Sequence, residues 1–160
     1  MKLNKAKVFF SISIVFASII TLIYFCFSSA KIDAIYKGGD YVKLNDGNCK
    51  SIVILVSNAP ITDRGRLRLW EQEKDSIMTT MPLQKKCDAI YFVKNKPEPP
   101  LFSEDVKYWQ ADDQFCFKGK MNGECISNEN IFMSVSLFSL TTDGIYRDTY
   151  KDKTIYVSYR

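Results

Sequence analysis

"SIVILVSNAPITDRGRLRLWEQEKDSIMTTMP", residues 51 to 82, sets two hydrophobic periods back to back. Ser51 to Asn58 is a continuous β-branched run ended by Ala59-Pro60. Such a short apolar run fits a strand buried on both faces, and Pro60 suits a strand exit because it cannot donate to a ladder. From Asp63 the period changes. Leu67, Trp70, Ile77, Met78 and Met81 fall on one broad helical arc, with Lys74 inside it, and Pro82 stops the helix. Thr62 or Asp63 caps the start, and Asp63 also suits the positive end of the helix dipole. Gly65 in the first turn disfavours a regular start. "RGRLRL" also alternates with period two, a strand signal, but the continuation "WEQEKDSIM" favours a helix.

The same stretch holds Arg64, Arg66 and Arg68, and the wider chain decides how to read them. Residues 1–7 carry Lys2, Lys5 and Lys7 and no acid, so they read as a cytoplasmic basic tail. Val8 to Phe27 follows without a charge, a Pro or a Gly. A bilayer core needs about 20 apolar residues in a helix, so 8–27 is expected to be a transmembrane helix. The lysines ahead of it favour a cytoplasmic amino terminus. "FSSA" offers small residues for a signal-peptidase site, but signal cores run about 7–15 apolar residues, and the greater length favours an uncleaved anchor. Cys26 reads as a thiol buried in that helix.

All 18 acidic residues lie beyond residue 30, and only three of the 22 Lys and Arg precede it. The exported part is therefore close to neutral. The basic pI is no argument for nucleic acid, and none is expected as a partner. Cys49, Cys87, Cys116 and Cys125 form an even set in an oxidising compartment, which reads as two disulfides. The Gly-containing segment "FKGKMNGE" lets the chain double back, so the expected pairs are Cys116–Cys125 and Cys49–Cys87. No CxxC and no His occurs, which argues against a metal site.

Residues 28–48 read as a stalk and first strands, with Ile32, Ala34 and Tyr36 alternating and Tyr41, Val42 and Leu44 after a Gly38-Gly39 break. Residues 49–160 read as a periplasmic, disulfide-stabilised domain. Further strands are expected at Asp88–Lys94, Asn130–Leu140, "DGIYR" and "TIYVSY", with a proline-rich loop at "NKPEPPLF" and a hairpin around Cys116 and Cys125. The fold class is α+β: a mostly antiparallel sheet with one amphipathic helix and two disulfides behind an N-terminal transmembrane helix.

The apolar span, "NAPITDRGRLRLWEQEKDSI", the later Cys-containing segment and "DGIYR" resemble a family of small enterobacterial membrane proteins, domain of unknown function 943. The family's form is an Asn, a Pro, then Thr-Asp-Lys-Gly and a Trp-containing helix. The matching positions are Asn58, Pro60, Thr62, Asp63, Arg64, Gly65 and Trp70, with Leu69 where the family has a second aromatic. The resemblance implies an inner-membrane location and no established activity.

The absence of His removes the common nucleophilic triads and His-metal schemes. Glu71 with Glu73, or Asp112 with Asp113, remain as carboxylate pairs for a cell-envelope hydrolase. No convergent titratable cluster is visible, so no enzyme is expected. No Gly-rich phosphate loop is present and no cofactor is expected. On a helix Arg66 lies over Trp70 and Arg68 reaches Glu71, so the arginines cover the helix and pair locally. Tyr91, Phe92, Phe102, Tyr108, Trp109, Phe115 and Phe117 surround the proline-rich loop. Most belong to the core, whereas Phe102, Tyr108 and Trp109 can anchor a protein partner. Arg64 and Arg66 complete the candidate partner-binding set. The expectation is a non-enzymatic single-pass inner-membrane protein that binds a protein partner in the periplasm or membrane, such as an immunity or accessory protein of a toxin or secretion system. The alternative is a structural or regulatory envelope subunit that associates through its membrane helix.

Overall fold

The computed structural model describes residues 15, 16, 18, 30–39, 49–102, 113–117, 124–138 and 145–160. Within them a six-stranded sheet has the order β1-β2-β3-β6-β8-β7, and β4-β5 form a separate two-stranded hairpin. The strands are β1 (Lys31–Gly39), β2 (Lys50–Ser57), β3 (Ala89–Lys94), β4 (Gln114–Cys116), β5 (Cys125–Ser127), β6 (Ile131–Ser136), β7 (Ile145–Tyr150) and β8 (Lys153–Tyr159). Helix α1 (Asp63–Thr80) connects β2 to β3. β2 and β3 are parallel and every other pairing is antiparallel. A parallel pair needs a long crossover, which α1 supplies. The α+β, mostly antiparallel expectation therefore holds. β1 extends through Gly38-Gly39 without a break and pairs with β2, so this first strand is an edge of the domain's own sheet.

The continuous run of β2 follows from covering on both faces. Ile52, Ile54 and Val56 point toward α1, and Val53 and Leu55 point toward the β4–β5 hairpin. Ile90 and Phe92 of β3 join the first face, and Val93 the second. β6 and β8 instead alternate. Val135, Ile155 and Val157 are buried toward the helix, while Ser134, Ser136, Tyr156 and Ser158 are only half-buried. That is the pattern of strands packed firmly on one face. A bulge in β6 opposite Phe92 and Val93 inserts Phe132. The extra residue reverses the alternation, so Ile131 packs with the hairpin and Met133 and Val135 with α1.

Thr62 is the N-cap, and its Oγ1 accepts from Gly65 N at 3.2 Å. The helix starts regularly despite Gly65, because Pro60 packs where a side chain would be. A Cβ at residue 65 would lie 2.9 Å from Pro60 Cβ. The buried stripe of α1 is Leu69, Trp70, Ile77 and Met78. Leu67, expected to point inward, is half-buried and packs against the edge of this core, and Leu69 joins the stripe. The helix ends at Thr80, with Met81 as its C-cap ahead of Pro82.

Two disulfides form, Cys49–Cys87 and Cys116–Cys125, the expected pairs. The second joins directly opposed residues of β4 and β5. Among the described residues no helix is long and apolar enough to cross a membrane. The expected span, 8–27, lies outside the described residues except for Val15, Phe16 and Ser18, which are helical. Cys26 and the expected strand at Tyr41–Leu44 also lie outside them.

Candidate interaction surface

The proline-rich segment leaves β3 and is fastened to the disulfide hairpin at three points. Glu98 exchanges two backbone hydrogen bonds with Cys125, at 2.9 and 2.8 Å. The buried Gln114 side chain accepts from Leu101 N at 3.0 Å, and its Nε2 donates to Pro99 O and Glu98 Oε1, each at 3.5 Å. Three prolines leave the segment few conformations, and these bonds select one. At its end Leu101 and Phe102 remain 61% and 70% exposed. Phe102 is thus on the surface as expected, while Tyr108 and Trp109 lie outside the described residues. The other aromatics are core. Phe115 and Phe117 are buried under the hairpin, with Phe117 stacked on Tyr36 at 4.0 Å and Phe115 tilted on Tyr91 at 5.7 Å. Phe92 packs on the helix side, edge-on to Trp70.

The arginines divide. Arg64 is exposed on the first turn of α1. Arg66, of the same candidate set, is mostly covered and bonded within its own stretch of chain. Its side chain is 13% exposed, its Nε donates to Pro60 O at 3.3 Å, and its Nη1 pairs with Asp63 at 3.1 Å. It does not cover Trp70. That indole is fully buried, and its Nε1 donates to Asp148 Oδ2 at 3.1 Å. Nor does Glu71 await Arg68, because it pairs with Lys74 at 2.7 Å. Glu71 is thus occupied, and Glu73, two positions on, is half-buried and projects from another side of the helix. Arg64 stands on the helix that covers one face of the sheet, and Phe102 on the loop bonded to the hairpin that covers the other. Among the described residues, the candidate set is therefore divided between these two elements.

Two carboxylates carry structural roles that the sequence alone does not announce. Asp148, from β7, meets both Trp70 and Lys74, whose Nζ lies 3.1 Å away. Burial pushes the Asp148 carboxyl up, but the Trp70 N–H and the Lys74 ammonium outweigh it and hold the pKa below the ordinary range. The two acids around Lys74 raise its own pKa, Glu71 foremost. Asp88 is buried and accepts three backbone N–H bonds of 2.9 Å, from Lys50, Gln84 and Lys85. Burial pushes it up, and those N–H groups more than offset this and lower its pKa. Asp88 adjoins Cys87 and Lys50 adjoins Cys49, so the carboxylate and the disulfide fasten the same two chain segments. The only sequence signal for Asp88 is an acid next to a cysteine at a strand start.

Among the described residues no group of three or more His, Cys, Asp or Glu side chains is placed to hold a metal ion. No curated protein and no solved structure matches the chain. The family model described as "Enterobacterial putative membrane protein (DUF943)" matches residues 3–153. The cap, the Pro60–Gly65 contact and the Trp-bearing helix all lie within the matched residues, and the chain is a member of that family.

Proposed function

We propose that this is an inner-membrane protein, anchored by residues 8–27, whose periplasmic domain binds another protein through the loop that ends at Leu101-Phe102. The observation that carries the reading is the exposure of these two large apolar residues on a segment fastened by Gln114 and the Cys125 backbone. A rigid loop loses little entropy on binding, and apolar anchors of this kind supply much of an interface's energy. Two disulfides suit an oxidising compartment. The work of the domain is binding rather than catalysis, and an immunity or accessory role toward a secreted toxin is its most concrete form.

The test is site-specific photo-crosslinking in cells producing the full chain. A photo-reactive amino acid at Phe102 should give a discrete protein adduct, whereas the same probe at Arg147, on the outer strand β7, should not. Adducts of equal yield at both positions, or none at Phe102, would sink the proposal. An alkaline-phosphatase fusion after Arg160 should be active if the domain is periplasmic.

A further inference from the structure

One end of the sheet is tied by the chain to the amino-terminal segment. β1 enters at Lys31, opposite Ser57, the last residue of β2. β2 and β3 are parallel, so β3 leaves at the same end, with Lys94 opposite Val56. β6 runs the other way and begins there, with Ile131 opposite Val93. Only Ser28, Ser29 and Ala30 separate Lys31 from the proposed span at 8–27. A chain advances at most about 3.6 Å per residue, so Lys31 lies within about 15 Å of the end of that span. The eight residues of β2 set the opposite end of the sheet about 23 Å away along the strand.

The loop from β2 to α1 crosses the tethered end and carries Ile61, which is 87% exposed. Its neighbours are fixed. Pro60 packs over Gly65 and its carbonyl accepts from Arg66 Nε, while Thr62 caps the helix. Folded chain on both sides therefore holds Ile61 outward. Lys31, Arg64 and Lys96 are exposed at the same end. Two acids there are engaged: Asp63 pairs with Arg66, and Asp33 accepts from Ser57 Oγ and Asn95 Nδ2. Glu129, in the turn before β6, is the opposing exposed charge. An outward apolar side chain among cations suits a lipid interface. The apolar part enters the acyl boundary and the cations meet anionic head groups.

We propose that this end of the domain rests on the anionic lipid surface of the membrane that holds the anchor. Ile61 inserts, and Lys31, Arg64 and Lys96 lie against the head groups. Tether and Ile61 together fix which end of the sheet faces the lipid. The inference rests on the anchor at 8–27 and is independent of the Leu101-Phe102 loop.

The test places the full chain in nanodiscs of phosphatidylcholine and phosphatidylglycerol, with a photo-reactive amino acid at Ile61 or at Phe138. Phe138 is 52% exposed and lies beyond Ser136, which pairs with the first residue of β3, so it marks the opposite end. Intact mass should show a lipid adduct at Ile61 and at least about tenfold less at Phe138. With the probe moved to Lys96, Ile61→Ser should cut the lipid adduct about fivefold and Ile61→Leu should keep it. Lys31→Glu with Arg64→Glu should cut it about threefold in these nanodiscs and leave it unchanged in phosphatidylcholine alone. Equal lipid adducts at Ile61 and Phe138, or none at Ile61 in a chain that has entered the nanodisc, overturn the proposal and leave the anchor standing. So does Ile61→Ser or the charge reversal without effect, or an adduct at Ile61 with protein in place of lipid. A chain that fails to enter the nanodisc overturns the anchor, and this proposal with it.

Discussion

The indole N–H of Trp70, on α1, donates to Asp148, on β7, across 78 positions of sequence. Lys74, one turn further along the helix, reaches the same oxygen. The bonds join the crossover helix to the last-but-one strand, at the edge of the sheet farthest from β2. Lys74 breaks the apolar stripe of α1 because its partner stands under that stripe. Trp70→Phe keeps the ring and removes the donor, and should cost about 1–3 kcal/mol in urea unfolding because Asp148 is left underpaired. Asp148→Asn should cost a similar amount. The double variant should lose clearly less than the two effects combined, since both remove one interaction. Strict additivity would show that the bond contributes nothing.

Acid should unfold the domain partly through Asp88 and Asp148. Both have folded-state pKa values below the ordinary range, so each stabilises the fold above that range. That stabilisation is lost as the pH falls through the carboxylate range toward the lower folded values. Asp88→Asn keeps one acceptor but sets an amide N–H₂ against backbone donors. It should cost about 2–3 kcal/mol at pH 7 and flatten the stability profile below pH 5. An unchanged acid slope in this variant would contradict the assignment.

The disulfides should contribute unequally. Cys49–Cys87 spans 38 positions and Cys116–Cys125 spans 9. Chain-entropy scaling puts their removal, as paired Cys→Ser variants, at about 4 and about 2.5 kcal/mol. Thermal melts of the two variants should rank in that order. Non-reducing peptide mapping should recover both pairs and no crossed pair.

Gly65→Ala should destabilise, against the usual gain from removing a helical glycine. The added Cβ would lie 2.9 Å from Pro60 Cβ, part of a ring with little room to yield. Overpacking of this kind costs about 1–3 kcal/mol, more than the ~1 kcal/mol of helix propensity it would bring. A raised melting temperature would refute the contact.

The β7–β8 hairpin turns at Lys151-Asp152, both with positive φ, 45° and 66°. Two-residue loops of this kind favour Asn-Gly. Lys151→Asn with Asp152→Gly should raise stability by about 0.5–1 kcal/mol in urea unfolding, and a loss would show that the native pair makes contacts of its own.

Much of the architecture was legible along the chain. The β-branched run at 51–58, the Thr62 cap, the Trp-bearing helix and the stop at Pro82 are local patterns, and each formed as its period required. The disulfide pairs were legible too, because the Gly-containing segment between Cys116 and Cys125 closes readily and leaves one other pair. Helical spacing alone misplaces Arg66: its guanidinium bonds the nearby Pro60 and Asp63, and it is the remote Asp148 that claims the Trp70 indole.

What the sequence determined by itself is therefore the set of elements, their caps and the covalent staples, since those depend on neighbours within a few residues or on cysteine count. Tertiary structure decided the strand order, the parallel β2–β3 pair and the separation of Arg64 from Phe102. It also decided the work of Asp88, Asp148 and Gln114. The physical reason is that a buried polar group is explained only by the group that satisfies it, and that partner can be 78 residues away.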